Sequence, residues 1–168
     1  MATNVKNPSV RAVVEQVTNN ATAWIGHQKF DNNDIVGGQT FTSPSDGDLE
    51  SIEVFTSIVS TPGKVSLTVH NFDPQSNSWG PAVGSADVDF ATTDTGKWKA
   101  FPVKGLRLNK GKSYGFRLAS PNSYVGMGEG AGRTPLVAEG QEWKFVNKDQ
   151  KGRSFSYLSL AFKVGVRA

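Results

Sequence analysis

Carboxylates, imidazoles and aromatic rings are the side chains through which this sequence could act. Glu129 and Glu142 stand at either end of a glycine-rich stretch. Glycoside hydrolysis uses such a pair, one carboxyl to protonate the leaving oxygen and one to attack or to activate water, and the separation that matters is spatial. No motif fixes that separation, so the two are noted as a candidate pair and given no catalytic assignment. The two histidines, His27 and His70, fall at no metal-ligand spacing of the H-x-x-x-H kind. His70 lies on the polar phase of an alternating run, which predicts a solvated or hydrogen-bonded surface imidazole. Nucleophile elbows, phosphate-binding loops and zinc motifs are absent, and without cysteine there is no thiol nucleophile, thiolate metal site or disulfide. The chain reads as non-enzymatic.

Oxygen ligands for a hard cation gather in two places. Asp31, Asn32, Asn33 and Asp34 form one loop and Asp46, Gly47 and Asp48 another, so Asp31, Asp34, Asp46 and Asp48 are the candidate ligands of a structural calcium. Neither follows the EF-hand pattern, and turn formation accounts for the same residues, because Asn and Asp bond their own backbone and tolerate left-handed conformations.

Trp79 stands in Pro74-Gln75-Ser76-Asn77-Ser78-Trp79-Gly80-Pro81, too polar and proline-rich for a core, which predicts an indole at a surface or lip. The C–H face of a sugar stacks on such a ring while neighbouring polar groups bond its hydroxyls. Tyr124, Glu129 and Arg133, around Gly126-Met127-Gly128-Glu129-Gly130, complete the candidate ligand site. The alternative for Trp79 is packing across the edge of the fold. Trp24, Trp98 and Trp143 lie in apolar or alternating runs and read as core or half-buried. The stretch 125–136 lacks the lysine and the strand-to-helix setting of a nucleotide cradle, and reads as a lip or crossover at one end of the fold.

Lys and Arg number 18 against 15 Asp and Glu, and the net charge of +3 is scattered without the basic stripe of a nucleic-acid binder. No window reaches the roughly 20 apolar residues of a membrane span. Residues 1–16 lack the apolar run of a secretory signal, so the expectation is a protein already mature or used without that export route. A length of 168 residues fits one domain.

The elements that must position these side chains are strands. Runs at 52–59 and 65–71 flank Thr61-Pro62-Gly63-Lys64, which predicts a hairpin. Val65, Leu67 and Val69 alternate with Ser66, Thr68 and His70, so one face is dry and needs a second layer behind it. Strands are predicted at 39–42, 49–59, 64–71, 85–91, 98–103, 112–120, 124–127, 141–147 and 157–166, with 23–30 a short extended piece. The fold class is therefore all-β, an antiparallel β-sandwich or barrel of eight or nine strands over 31–168. Residues 1–30 are set apart as an N-terminal arm or short helix. Asn7 and Pro8 make a helix start, and Val10, Val13, Val14 and Val17 line one helical face; valine's strand propensity leaves an edge strand as the alternative.

The succession Gln39-Thr40-Phe41-Thr42-Ser43-Pro44, Gly47-Asp48-Leu49-Glu50-Ser51-Ile52, Gly96-Lys97-Trp98, Leu106-Arg107-Leu108 and Gly111-Lys112-Ser113-Tyr114-Gly115-Phe116-Arg117-Leu118 resembles bacterial and phage β-sandwich modules of the carbohydrate-binding, galactose-binding-like jelly-roll type. The match covers 39–120, and the ending over 142–166 is similar. The resemblance implies an architecture above all, because the matched positions are structural and a fold carries no function by itself. It also implies glycan recognition and a calcium held between loops.

Two functions follow. One is a recognition module that binds a glycan through Trp79 and end-loop residues. The other is a structural or assembly protein, such as a virion surface, decoration or tail component, whose partners are neighbouring subunits in a homo-oligomer. In that case the N-terminal segment reaches an unpaired sheet edge as an arm. Either would act at a virion or cell surface.

Overall fold

The computed structural model describes residues 11–133, 136–137 and 139–168. Fourteen strands follow one another: β1 Arg11–Gln16, β2 Ala21–Gln28, β3 Asn33–Thr42, β4 Gly47–Thr61, β5 Gly63–Asp73, β6 Ser78–Phe90, β7 Trp98–Phe101, β8 Arg107–Leu108, β9 Ser113–Ala119, β10 Tyr124–Ala131, β11 Glu142–Val146, β12 Arg153–Phe155, β13 Leu158–Leu160 and β14 Phe162–Arg167. A 3-10 turn at Thr92–Asp94 is the one helical element among the described residues. The all-β antiparallel class is as expected, with more strands than eight or nine. The closing run, read as one strand over 157–166, breaks at Ala161 into β13 on β10 and β14 on β4.

The strands join in the order β1-β14-β4-β10-β2-β3-β9-β5-β6, with β7 and β8 on β4, β13 on β10, β11 on β3 and β12 on β11. The sheet curls into two layers because β4 serves both. Its first part pairs with β14, and its last part, from Thr56 to Thr61, with β10. Phe162 of β14 meets Phe41 of β3 and Phe116 of β9 at ring distances of 6.4 and 5.8 Å, which closes the core between the layers. Ile25, Ile52, Leu67, Leu118 and Met127 fill it, all out of contact with solvent.

Three expectations change. The link at 61–64 is no hairpin: β5 pairs with β9 and β6, and β4 with β14, β10, β7 and β8, so the link carries the chain between distant places in the sheet. Ser120 Oγ donates to the Lys64 carbonyl at 2.6 Å and anchors the far side of that link. The valine-rich N-terminal segment is strand β1, paired with β14 from Arg11↔Arg167 to Gln16↔Phe162, rather than a helix. β-Branched residues beside an open edge favour the ladder over the helix; the expected helix start at Asn7 and Pro8 lies outside the described residues. Residues 21–28 likewise form β2 inside the sheet, between β10 and β3.

Candidate functional site

One edge of β3 is shared by two strands. β2 pairs with 33–35 and β9 with 37–42 along that edge, while β11 lies on the opposite edge, paired with 35–39. β2 leaves β3 at Ile35, where β9 continues along the edge, and remains paired with β10 from Ala21 to Gly26. The wedge left open is a cavity of about 440 Å³. Trp24, Tyr124, Glu129, Glu142, Trp143 and Lys144 are among its lining residues.

Trp24 and Tyr124 lie parallel, with ring centroids 4.7 Å apart and planes 11° from each other. Trp24 sits opposite Gly126 in the ladder, and a Cβ there would press within 2.7 Å of Thr22 and 2.9 Å of Ile58. The bare backbone thus lets side chains of β2 and β4 close over β10. The glycines read as a flexible lip belong to this central strand, which runs buried from Val125 to Gly130. Burial first, and the Asp31 charge second, raise the Tyr124 phenol above its usual pKa.

Glu129, paired with Ala21 and Leu160, and Glu142, paired with Gln39 and Phe155, come from separate strands into the same wedge. They are 8% and 5% exposed and line the same cavity, near enough for each to bear on the other's charge. Burial pushes the Glu142 carboxyl far above the ordinary carboxylate range; the neighbouring Glu129 carboxyl adds to this, and Lys144 opposes it. Two desolvated carboxyls this close cannot both ionise, so the pair keeps one proton and one negative charge. Glycosidases hold their carboxyls about 5 to 9.5 Å apart to admit the sugar carbon or a water. Sharing one proton, the pair here is a donor and acceptor set for a cavity ligand. The Glu142 Oε1 atom is buried without a partner, as is the indole N–H of Trp143.

The other expected ligand residues are elsewhere. Trp79 lies on the outer face of β3 and β9 within a cluster of Phe72, Trp143 and Phe145, edge-on to each at 5.5 to 5.8 Å. The Arg117 guanidinium lies 4.6 Å from its ring. Its indole fits because a Cβ on Gly115 would stand 2.5 Å from the ring. Trp79 is thus a half-buried packing residue, the alternative weighed for it, and not a lip. Arg133 is exposed just past β10, at the end opposite Tyr124, and an eight-residue strand spans roughly 25 Å. His70 keeps its outward phase, opposite Gly115 on β9, but is buried instead of solvated because the Trp79 ring, 5.5 Å away, covers that face. Its Nδ1 faces the Gly80 carbonyl at 3.1 Å, and its Nε2 lies 2.8 Å from the Thr68 hydroxyl. Burial, the largest cause, lowers its pKa.

The expected calcium ligands make turn and ion-pair contacts. Asp34 Oδ1 lies 2.8 Å from His27 Nδ1, Asp46 Oδ1 accepts the Lys110 N–H at 2.8 Å, and Asp48 is 3.8 Å from Arg107. Among the described residues no three acidic or histidine side chains converge on a point where an ion would sit.

The solved structures to which the chain is similar fit this architecture. It matches Cwp84, a surface layer associated protein of Clostridium difficile, solved with its cysteine protease and lectin-like domains, at 13% identity and a TM-score of 0.57 over 94% of this chain. Cwp84 after propeptide cleavage matches at 14% identity and a TM-score of 0.58, again over 94%. The likeness is to the lectin-like part. This chain spans 36% and 40% of the lengths of those two. An infectious bursal disease virus structure overlaps at 10% identity over 98% of this chain and 45% of its own, with a TM-score of 0.40, too loose to carry an argument. No protein-family model matches the sequence, and no curated protein does. The chain therefore shares the fold of a lectin-like domain, and with no cysteine it has no counterpart of a cysteine protease's nucleophile.

Trp24 is the site residue that sequence reasoning missed. Its apolar surroundings, Ala23 and Ile25, read as core, yet only Ile25 is fully buried there. The available signal was period two, since Trp24 and Ile25 must point to opposite faces.

Proposed function

We propose that this protein is a non-catalytic recognition module that binds carbohydrate in the wedge between β2, β10 and β11. The observation that carries the reading is the meeting of a stacked Trp24–Tyr124 pair with the buried Glu129–Glu142 pair at one cavity. Sugar recognition combines an aromatic surface for the C–H face with a few placed hydrogen-bonding groups. At about 440 Å³ the cavity has room for one or two sugar units. The lectin-like fold of the similar structures agrees with this. Glycan-array screening followed by calorimetry tests it: wild type gives a saccharide signal, and Tyr124→Ala weakens it by about tenfold or more while thermal melting shows a folded domain. A well-folded wild type silent on every glycan class ends the proposal.

A structural or assembly role is the second reading, favoured by β6, a strand of 13 residues that among the described residues pairs on one edge, with β5. Pro81 and the charges of Asp87 and Asp89 guard its other edge, a means of keeping strands apart. Light scattering across a concentration series separates the two, since assembly through β6 gives particles larger than a monomer.

A further inference from the structure

We infer that the group held at the Glu129–Glu142 pair is an ammonium, so that the wedge selects saccharides bearing a free amino group over neutral, N-acetylated or acidic ones. The inference rests on the carbohydrate reading and sharpens it. Three observations lead there. Both carboxyls are more than nine-tenths buried and line the cavity. One of their oxygens, Glu142 Oε1, has no partner and needs a donor. Two neighbouring buried carboxyls leave a desolvated negative charge that a hydroxyl does not neutralise.

An ammonium brings one positive charge and three N–H donors, enough for both carboxylates and the orphaned oxygen. On binding, the proton shared by the carboxyls leaves to solvent, the two carboxylates face one ammonium, and one proton is released per ligand. The rings of Trp24 and Tyr124 also favour a cation near their faces.

Lys144 of β11 lines the cavity, and Arg153 of β12 stands opposite Lys144 in the ladder, on the same face as Glu142. Both are exposed, so water and salt screen them, whereas the carboxyl pair is shielded. Tyr124 and Glu129 are the titratable lining residues of β10; β2, β3 and β13 contribute only uncharged side chains to the lining.

Calorimetry with glucosamine and its short β-linked oligomers, against glucose, N-acetylglucosamine and glucuronate, tests this. The amino sugar is expected to bind at least about tenfold more tightly than its N-acetyl form. Repeating the titration in buffers of different ionisation enthalpy should show a proton released. Glu142→Gln, with Glu129→Gln as a second variant should the first fail to fold, should bring the preference to within about twofold. Equal or tighter binding of N-acetylglucosamine or glucuronate overturns the ammonium assignment and leaves carbohydrate recognition standing. No binding of any saccharide overturns both.

Discussion

Glu142 shows how a single side chain couples the cavity to the stability of the whole domain. Its carboxyl is protonated in the fold because burial and Glu129 raise its pKa, whereas in the unfolded chain it ionises near pH ~4.3. Above that value the unfolded chain binds fewer protons than the folded one, so the free energy of unfolding falls as pH rises. The stabilising contribution is fully present below the unfolded pKa and is lost as pH climbs toward the raised one. His70 works in the opposite direction. It is held neutral by burial, so its contribution is present above about pH 6.5 and is lost as pH falls through its lowered value. Glu142→Gln keeps the shape and removes only the carboxyl term. Melting curves from pH 5 to 8 should therefore be flatter for the variant, with its Tm at pH 8 above that of wild type by several degrees. Parallel curves for the two proteins would show that Glu142 is ionised in the native state.

At the scale of strands, glycine decides what lies on each outer face. Along β9, Tyr114, Phe116 and Leu118 enter the core, while Gly115 leaves a notch in which the Trp79 ring lies against the backbone. A methyl group at Gly115 would lift that ring out of its cluster. Gly115→Ala is expected to cost about 1–3 kcal/mol, and Trp79→Ala, which empties the cluster, about 3–5 kcal/mol. Urea melts check both, and neither change should alter binding at the wedge, because Trp79 does not line it. This division also explains what could be read from the sequence. Alternation marked β5, β9 and β14 because each has one dry face, and turn residues bounded β4, β7 and β11 closely. By contrast, β3 and β6 begin at Asn33 and Ser78, well before the runs expected at 39–42 and 85–91, and the short β8 and β12 had no expected counterpart. The helix expected near Val13 failed because its apolar spacing suits both periods and the edge of β14 chose between them. The glycines of β10 looked like a loop because their partners, Trp24 and Thr22, belong to a strand a hundred residues away. Glu129 and Glu142 could be singled out by type, but their meeting depends on β11 and β2 pairing with opposite edges of β3 and on β10 lying beside β2, pairing choices that leave no local mark.

For the molecule as a whole, the two ends of the described chain hold the sandwich shut. β14 lies between β1 and β4, and its Phe162, Val164 and Val166 are fully buried in the core. Beside it, the Gln16 side chain donates to the carbonyls of Ser159 and Leu160 at 3.3 Å, which ties β1 to β13 as well. The layers therefore close only when segments from opposite ends of the sequence have met, and closing so long a loop before any reward makes folding slow. The two terminal strands are nonetheless unequal. β1 has one neighbour, and half of its residues face solvent, so deleting residues 1–16 should leave a folded domain with the edge of β14 exposed and prone to self-association. Deleting residues 162–168 instead removes a central strand together with the Phe162 ring that joins Phe41 to Phe116 across the layers. That truncation should abolish cooperative unfolding and the near-ultraviolet signal of the packed tryptophans, whereas the N-terminal deletion should lower the melting temperature and retain both. A C-terminally truncated chain that still melts in one sharp transition would show that the layers hold together without β14, and that the core is organised around the layer containing β3 and β9 alone.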